Sequence, residues 1–244
     1  MLDAPVIELD TIDSTNNYAM QLLDADTAQP GLTILARMQT QGKGQRGKIW
    51  EVDAGNSVLM SIILAPGGTS ADQFPFLTAI AVAVAEELME LYEHWQVQIK
   101  WPNDIIVNDK KAGGILIENV WKGGCWSASV VGLGLNVLQE QFPSSLPNAI
   151  SLKQASGRDF DVHELALALR ERIIRYTSGG ETRDELFRRY NLYLYRQSHP
   201  QAFESDGQTW EARVVGVNRE GLLELQLADG SIQRFSHGSL IWKW

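Results

Sequence analysis

The period of the hydrophobic positions changes along the chain, and each change marks an element. Val6 to Leu9 alternates as a strand does, and Asp13-Ser14-Thr15-Asn16 supplies N-cap side chains ahead of Tyr18, Met20, Leu22 and Leu23, the spacing of a short helix. Thr33 to Met38 reads as a strand, Gln39 to Ile49 as a glycine-rich loop and Asn56 to Leu64 as a largely buried strand. Phe74 to Tyr92 is strongly apolar and predicts a buried helix; Glu86, Glu87 and Glu90 interrupt it short of the roughly 20 apolar residues a membrane span needs. Val97 to Trp101, Ile105 to Val107, Gly114 to Val120 and Ser127 to Leu133, separated by Pro-Asn-Asp, Asn-Asp and Gly-Gly, predict an antiparallel meander.

Val162 to Tyr176 and Arg183 to Tyr195 are amphipathic and predict helices, the first opened by Asp161 and Glu164 as a variant capping box. Beyond Ser198-His199-Pro200 the pattern turns to short strands, Trp210 to Val217, Leu222 to Leu227, Ser231 to Phe235 and Ser239 to Trp242. The expectation is an α+β protein. A central mixed, mostly antiparallel sheet packed with helices occupies residues 1–197, and a small β-barrel occupies 198–244.

Composition narrows the classes open to such a fold. With 244 residues, 44% of them hydrophobic, the chain can bury a full core and a smaller second one. Met1-Leu2-Asp3-Ala4-Pro5 has neither a basic region nor an apolar stretch, so no secretory leader is expected and the cytoplasm is the expected compartment. A single cysteine, Cys125, excludes an internal disulfide, and four scattered histidines offer no zinc site, so any metal is expected to arrive with a substrate. A net charge of −9 argues against a general attraction to nucleic acid. Functional cations must therefore be locally concentrated.

Gly42-Lys43-Gly44-Gln45-Arg46-Gly47 satisfies G-x-G-x-x-G, but the residues after it, Lys48-Ile49-Trp50-Glu51-Val52-Asp53, make a poor helix, and a dinucleotide site needs a helix N-terminus there. Lys43, Arg46 and Lys48 point instead to a flap closing over anions; a solvated hairpin loop is an equal reading of this segment alone. Lys100-Trp101-Pro102-Asn103-Asp104 places a carboxylate where it could meet nucleotide-bound Mg²⁺, although such a pentapeptide is more often an ordinary turn. Lys110-Lys111 precedes Ala112-Gly113-Gly114-Ile115-Leu116-Ile117-Glu118, and two adjacent lysines usually mean a solvated turn; an inward lysine would instead stabilise charge developing between a carboxylate and a phosphate. Gly132-Leu133-Gly134-Leu135-Asn136 ends a strand with glycines that let backbone lie against a flat ring, or that mark a bulge. No Ser/His/Asp or Cys/His arrangement is legible.

In series, from Asp13 to Val137, these segments resemble the successive signatures of biotin protein ligases, and the C-terminal strands resemble that family's SH3-like domain. The resemblance implies a catalytic domain of class II synthetase type. It also implies a two-step reaction in which biotin and MgATP give biotinyl-5′-AMP and the biotinyl group passes to a lysine of a biotin carboxyl carrier protein. Ser14, Thr15, Asn16, Gln39, Gly42, Lys43, Gly44, Gln45, Lys111, Gly113, Gly114, Gly132 and Gly134 would then serve biotin. Gln45, Arg46, Gly47, Lys48, Trp50, Asn103, Asp104, Lys111 and Asn136 would serve ATP, with Asp104 towards Mg²⁺ and Lys111, Lys43 and Arg46 as the catalytic cations. Lys43 and Gln45 stand where the family commonly has arginine; a lysine is a point charge and a glutamine carries none, so weaker retention of the adenylate is expected. A lipoate or octanoate transferase and a non-catalytic biotin sensor are the alternatives. Only twelve residues precede Asp13, so DNA binding is not expected. A homodimer is compatible with the sequence, although no interface strip is legible in it.

Overall fold

The computed structural model describes residues 1–244. The larger sheet is built from β1 (Val6–Ile12), β2 (Thr33–Gln39), β3 (Ser57–Leu64), β4 (Val97–Lys100), β5 (Asp104–Val107), β6 (Lys110–Lys122) and β7 (Cys125–Asn136), in the spatial order β1-β2-β3-β7-β6-β5-β4. β1 and β2 are parallel and are joined by helix α1 (Thr15–Asp24), as a parallel pair requires a crossover. Every other neighbouring pair is antiparallel.

All of β3 is buried because both of its faces are covered. Val58, Met60, Ile62 and Leu64 enter the main core with α2 (Gln73–Leu91) and α4 (Val162–Thr177), whereas Ile63 joins Val130 of β7 and Ala19 of α1 on the opposite face. The glutamates that interrupt the apolar run of α2 meet arginines: Glu87 and Glu90 pair with Arg172 of α4, and Glu86 with Arg189 of α5 (Arg183–Leu192). Removing one partner from such a half-buried pair would leave a poorly solvated charge. No helix is long and apolar enough to cross a membrane.

The structure departs from the expected elements at definite places. β6 starts at Lys110, so Lys110-Lys111 belongs to a strand and not to a turn before it. The short helix α3 (Leu152–Ser156) was not legible in the periodicity, although Ser151 and Gln154 form a reciprocal capping box at its start. Asp161 caps α4 by accepting from the backbone N–H groups of His163 and Glu164. At the C-terminus a further strand, β8 (Pro200–Ser205), precedes β9 (Gln208–Val217), β10 (Leu223–Gln226), β11 (Ile232–Phe235) and β12 (Ile241–Trp242). These form an antiparallel sheet in the order β11-β10-β9-β8-β12. Phe203, Val214, Leu223 and Leu225 of this sheet lie in the same contiguous core as the larger one.

Candidate active site

Strand register sets out the floor of the site. Across β3, β7, β6 and β5 it aligns Leu59, Gly134, Gly114 and Asp104 in one row; the next row holds Ser61, Gly132 and Leu116. The face carrying these rows is the one that α1 only partly covers. The paired glycines leave it flat, and other groups occupy the room. A methyl on Gly134 would lie 2.5 Å from the Trp50 indole, and one on Gly132 would lie 2.4 Å from Asn16 Oδ1. The flat ring against this backbone is therefore Trp50 itself, whose Nε1 is buried without a partner.

At one end of the floor the start of α1 builds a neutral, polar pocket. Ser14 occupies the N-cap position without making a side-chain cap bond, and its side chain lines the cavity. Thr15 N–H donates to Gln39 Oε1 at 2.7 Å, Ser61 Oγ lies 2.7 Å from Thr15 Oγ1 and 2.6 Å from Asn16 Oδ1, and Asn16 Nδ2 donates to Glu118. At the other end stands Lys111, its backbone held between Ile106 of β5 and the Asn148–Ile150 segment. Its ammonium is 2.6 Å from Asp104 Oδ1 and 5.8 Å from the centre of the Trp50 ring.

Residues 42–50 form a small hairpin above this floor, closed by Gly44 N–H to Lys48 O and Trp50 N–H to Gly42 O. The absence of a helix after the glycine pattern agrees with rejecting a dinucleotide fingerprint; only a single 3-10 turn, Gln45–Gly47, is present. Its cations diverge: Lys43 Nζ lies 3.5 Å from Glu118 Oε1 on β6, and Arg46 Nη1 donates to Gly238 O in the turn between β11 and β12. Gly238 adopts a φ of +84°, which favours glycine, and its open side receives the Arg46 guanidinium, which a methyl there would have to push aside.

The cavity between floor and hairpin, about 740 Å³ and open to solvent on one side, is of the size that takes a cofactor-scale ligand. Lys43, Arg46, Lys48, Lys100, Lys111 and Lys243 line it against only Glu51 and Asp104, so a chain of net charge −9 concentrates cations at one place. No group of three or more His, Cys, Asp and Glu side chains is positioned to hold a metal. Of the residues singled out in the sequence, all line the cavity except Gly42, Gly47 and Gly113. Gly113 faces away, where a Cβ would meet Gly134 O and Leu135. The Asn103 and Asn136 amides also hold the frame, donating to Ile115 O and Ile150 O.

Local sequence leaves several residues of the site unmarked. Ser61 does not line the cavity but lies fully buried behind it against Thr15 and Asn16, a hydroxyl within the largely apolar β3. Lys100 was noted but given no role: it is 6% exposed, donates to Trp242 O and lies 3.7 Å from the centre of the Trp244 ring. Burial first, and the neighbouring Lys111 and Lys48 next, lower its pKa to about 8 against the opposing pull of Asp104. His237 and the 142–149 segment also reach the cavity, and no local pattern marks them.

Residues 8–136 match the model of the biotin/lipoate A/B protein ligase family. The bifunctional ligase/repressor BirA of Bacillus spizizenii is 31% identical over 233 residues, covering 92% of this chain and 70% of that one. The biotin–[acetyl-CoA-carboxylase] ligase of Paracoccus denitrificans is 37% identical over 179 residues, 70% of this chain and 72% of that one. In fold, the chain is similar to the biotin protein ligase of Aquifex aeolicus solved with biotin and ATP, with a TM-score of 0.81, 23% identity and 98% of each chain covered. By sequence and by fold alike, the chain belongs to the biotin/lipoate A/B protein ligase family.

Proposed function

We propose that this chain activates biotin with MgATP and transfers the biotinyl group to a lysine of a biotin carboxyl carrier protein. The observation that carries the reading is the division of one cavity into a neutral hydrogen-bonding pocket at Ser14, Thr15, Asn16 and Gln39 and a cationic end at Lys111, Lys100 and Lys48. A uncharged cyclic urea suits the first and a polyphosphate the second.

In the first step a carboxylate oxygen of biotin attacks the α-phosphorus of ATP, and the bond to pyrophosphate breaks. Lys111 is held by its backbone where an ammonium can stabilise charge shared by carboxylate and α-phosphate. Mg²⁺ enters as part of the nucleotide, and such an ion needs only one or two protein carboxylates, which fits a cavity where Asp104 stands beside Lys111. In the second step the neutral amine of the carrier lysine attacks the acyl carbon, AMP leaves with the bridging oxygen, and the amine releases a proton. The 42–50 hairpin, with Trp50 over the glycine floor, keeps water from the mixed anhydride between the steps.

Exchange of labelled pyrophosphate into ATP tests the first step: it should require biotin. Exchange supported by lipoate or octanoate and not by biotin would favour the transferase alternative, and none with any acid would favour a sensor. Incubation with MgATP, biotin and a carboxylase carrier domain should add the mass of one biotinyl group to the carrier. An unmodified carrier would remove the second step.

A further inference from the structure

Glu118 lies on β6 on the same face as Leu116 and Gly114, and its carboxylate has two partners. Oε2 accepts from Asn16 Nδ2 at 2.7 Å, and Oε1 lies 3.5 Å from Lys43 Nζ. The arms differ in weight. Lys43 and Glu118 side chains are 41% and 32% exposed, so solvent screens that ion pair. Asn16 is 3% exposed, and its hydrogen bond to a charged acceptor is the stronger contact.

An ionised carboxylate can only accept, which fixes the Asn16 carboxamide with Nδ2 towards Glu118 and Oδ1 towards Ser61. Ser61 has one hydroxyl hydrogen. Given to Asn16 Oδ1, it leaves Ser61 Oγ as an acceptor for the Thr15 hydroxyl, which also lies 3.1 Å from Gln39 Oε1 and can donate there instead. The Ser61 and Asn16 hydrogens then point towards Glu118, and with its own hydrogen given to Ser61 or to Gln39, Thr15 Oγ1 keeps its lone pairs for the pocket. Gln39, whose Oε1 is taken by Thr15 N–H, retains its Nε2 as a donor. Gly132 provides the room in which the Asn16 amide is held.

We propose that Glu118 is a positioning residue that sets the hydrogen-bond polarity of this pocket, so that it selects a headgroup presenting N–H donors to Thr15 alongside a carbonyl acceptor. The proposal rests on the reading that the pocket receives the cyclic urea of biotin. Without the carboxylate the amide can turn over and Ser61 can donate to Thr15 Oγ1 instead, taking up a lone pair that a ligand N–H would use.

Biotin-dependent pyrophosphate exchange tests this in the wild type, Glu118→Gln, Glu118→Asp, Asn16→Ala and the double variant Asn16→Ala/Glu118→Gln. Glu118→Gln should raise KM for biotin about tenfold, the scale of one charge-assisted hydrogen bond. The ATP KM, kcat and melting temperature should stay close to wild type, and Glu118→Asp should recover part of the loss. The double variant should bind biotin no worse than Asn16→Ala alone, because the carboxylate acts through that amide. An unchanged biotin KM in Glu118→Gln, additive losses in the double variant, or equal losses in Gln and Asp with a lowered melting temperature would each overturn the proposal. No biotin-dependent exchange in the wild type would overturn the biotin reading and this proposal with it.

Discussion

The floor and the roof of the cavity are made in opposite ways. The floor is sheet: Gly114, Gly132, Gly134 and Asp104 are placed by ladders across β3, β7, β6 and β5, and Lys111 has backbone partners on both sides. The roof is a nine-residue hairpin, mostly exposed at residues 45–49, held by its internal bonds, the Lys43 and Arg46 tethers and the Trp50 ring. The difference teaches that chemistry and retention can be separated. A floor substitution should alter the reaction itself, whereas a roof substitution should alter how long the intermediate stays.

Lys111→Ala gives the largest expected effect. Loss of one preorganised stabiliser of transition-state charge typically costs about 10²–10³ in rate, so single-turnover biotinyl-AMP formation should fall by that order while the circular dichroism spectrum is unchanged. Wild-type adenylation by this variant would refute the role of Lys111. Gly134→Ala tests the boundary of floor and roof. Its methyl must displace the Trp50 ring, and overpacking of about 1–3 kcal/mol should appear as a roughly tenfold loss of adenylation. The melting temperature should move little, because the hairpin can give way more easily than the sheet. A large drop in melting temperature with intact adenylation would reverse that assignment.

Lys43→Arg/Gln45→Arg addresses the roof alone. Planar, charged forks in place of a point charge and a neutral amide should slow biotinyl-AMP dissociation by about tenfold or less, leaving its formation rate near wild type. Equal dissociation rates would show that the arginines are immaterial. The smallest effect is pH-linked and concerns Lys100. Below pH about 8 its buried ammonium is charged; a phosphate would favour that form, so ATP affinity should decline as pH rises through about 8, with proton uptake on binding there. The linked stability has the opposite sign. The folded pKa lies below the unfolded one, so the penalty of burying this charge is complete below about 8 and is relieved as pH rises towards 10.5. Lys100→Met should therefore melt higher than wild type at pH 7 while binding ATP more weakly. A pH-independent ATP affinity between 7 and 9 would exclude the role.

The elements that period alone decides were legible. The apolar helix α2, the alternating strands and the two amphipathic helices follow from the side-chain pattern. Lys110-Lys111 misled because adjacent cations usually mark a turn; here one strand carries both, and only the register shows Lys111 at the site. β8 was missed because Pro200, Gln201, Glu204 and Ser205 lack a clear apolar alternation, its one fully buried side chain being Phe203. Glu118 and Ser61 acquire their roles from neighbours 102 and 45 positions away, a relation no local pattern contains.

Gly238 receives Arg46 at a point where the backbone has a φ of +84°, and Trp242 and Trp244 enclose the Lys100 ammonium from the same side. The C-terminal region thus forms one wall of the cavity, and for the proposed reaction its fit would bear on how far water reaches the mixed anhydride. A change there that touches neither biotin nor ATP would divert activated acid into hydrolysis. The yield of modified protein per ATP consumed would then fall, even where the rate of ATP consumption did not.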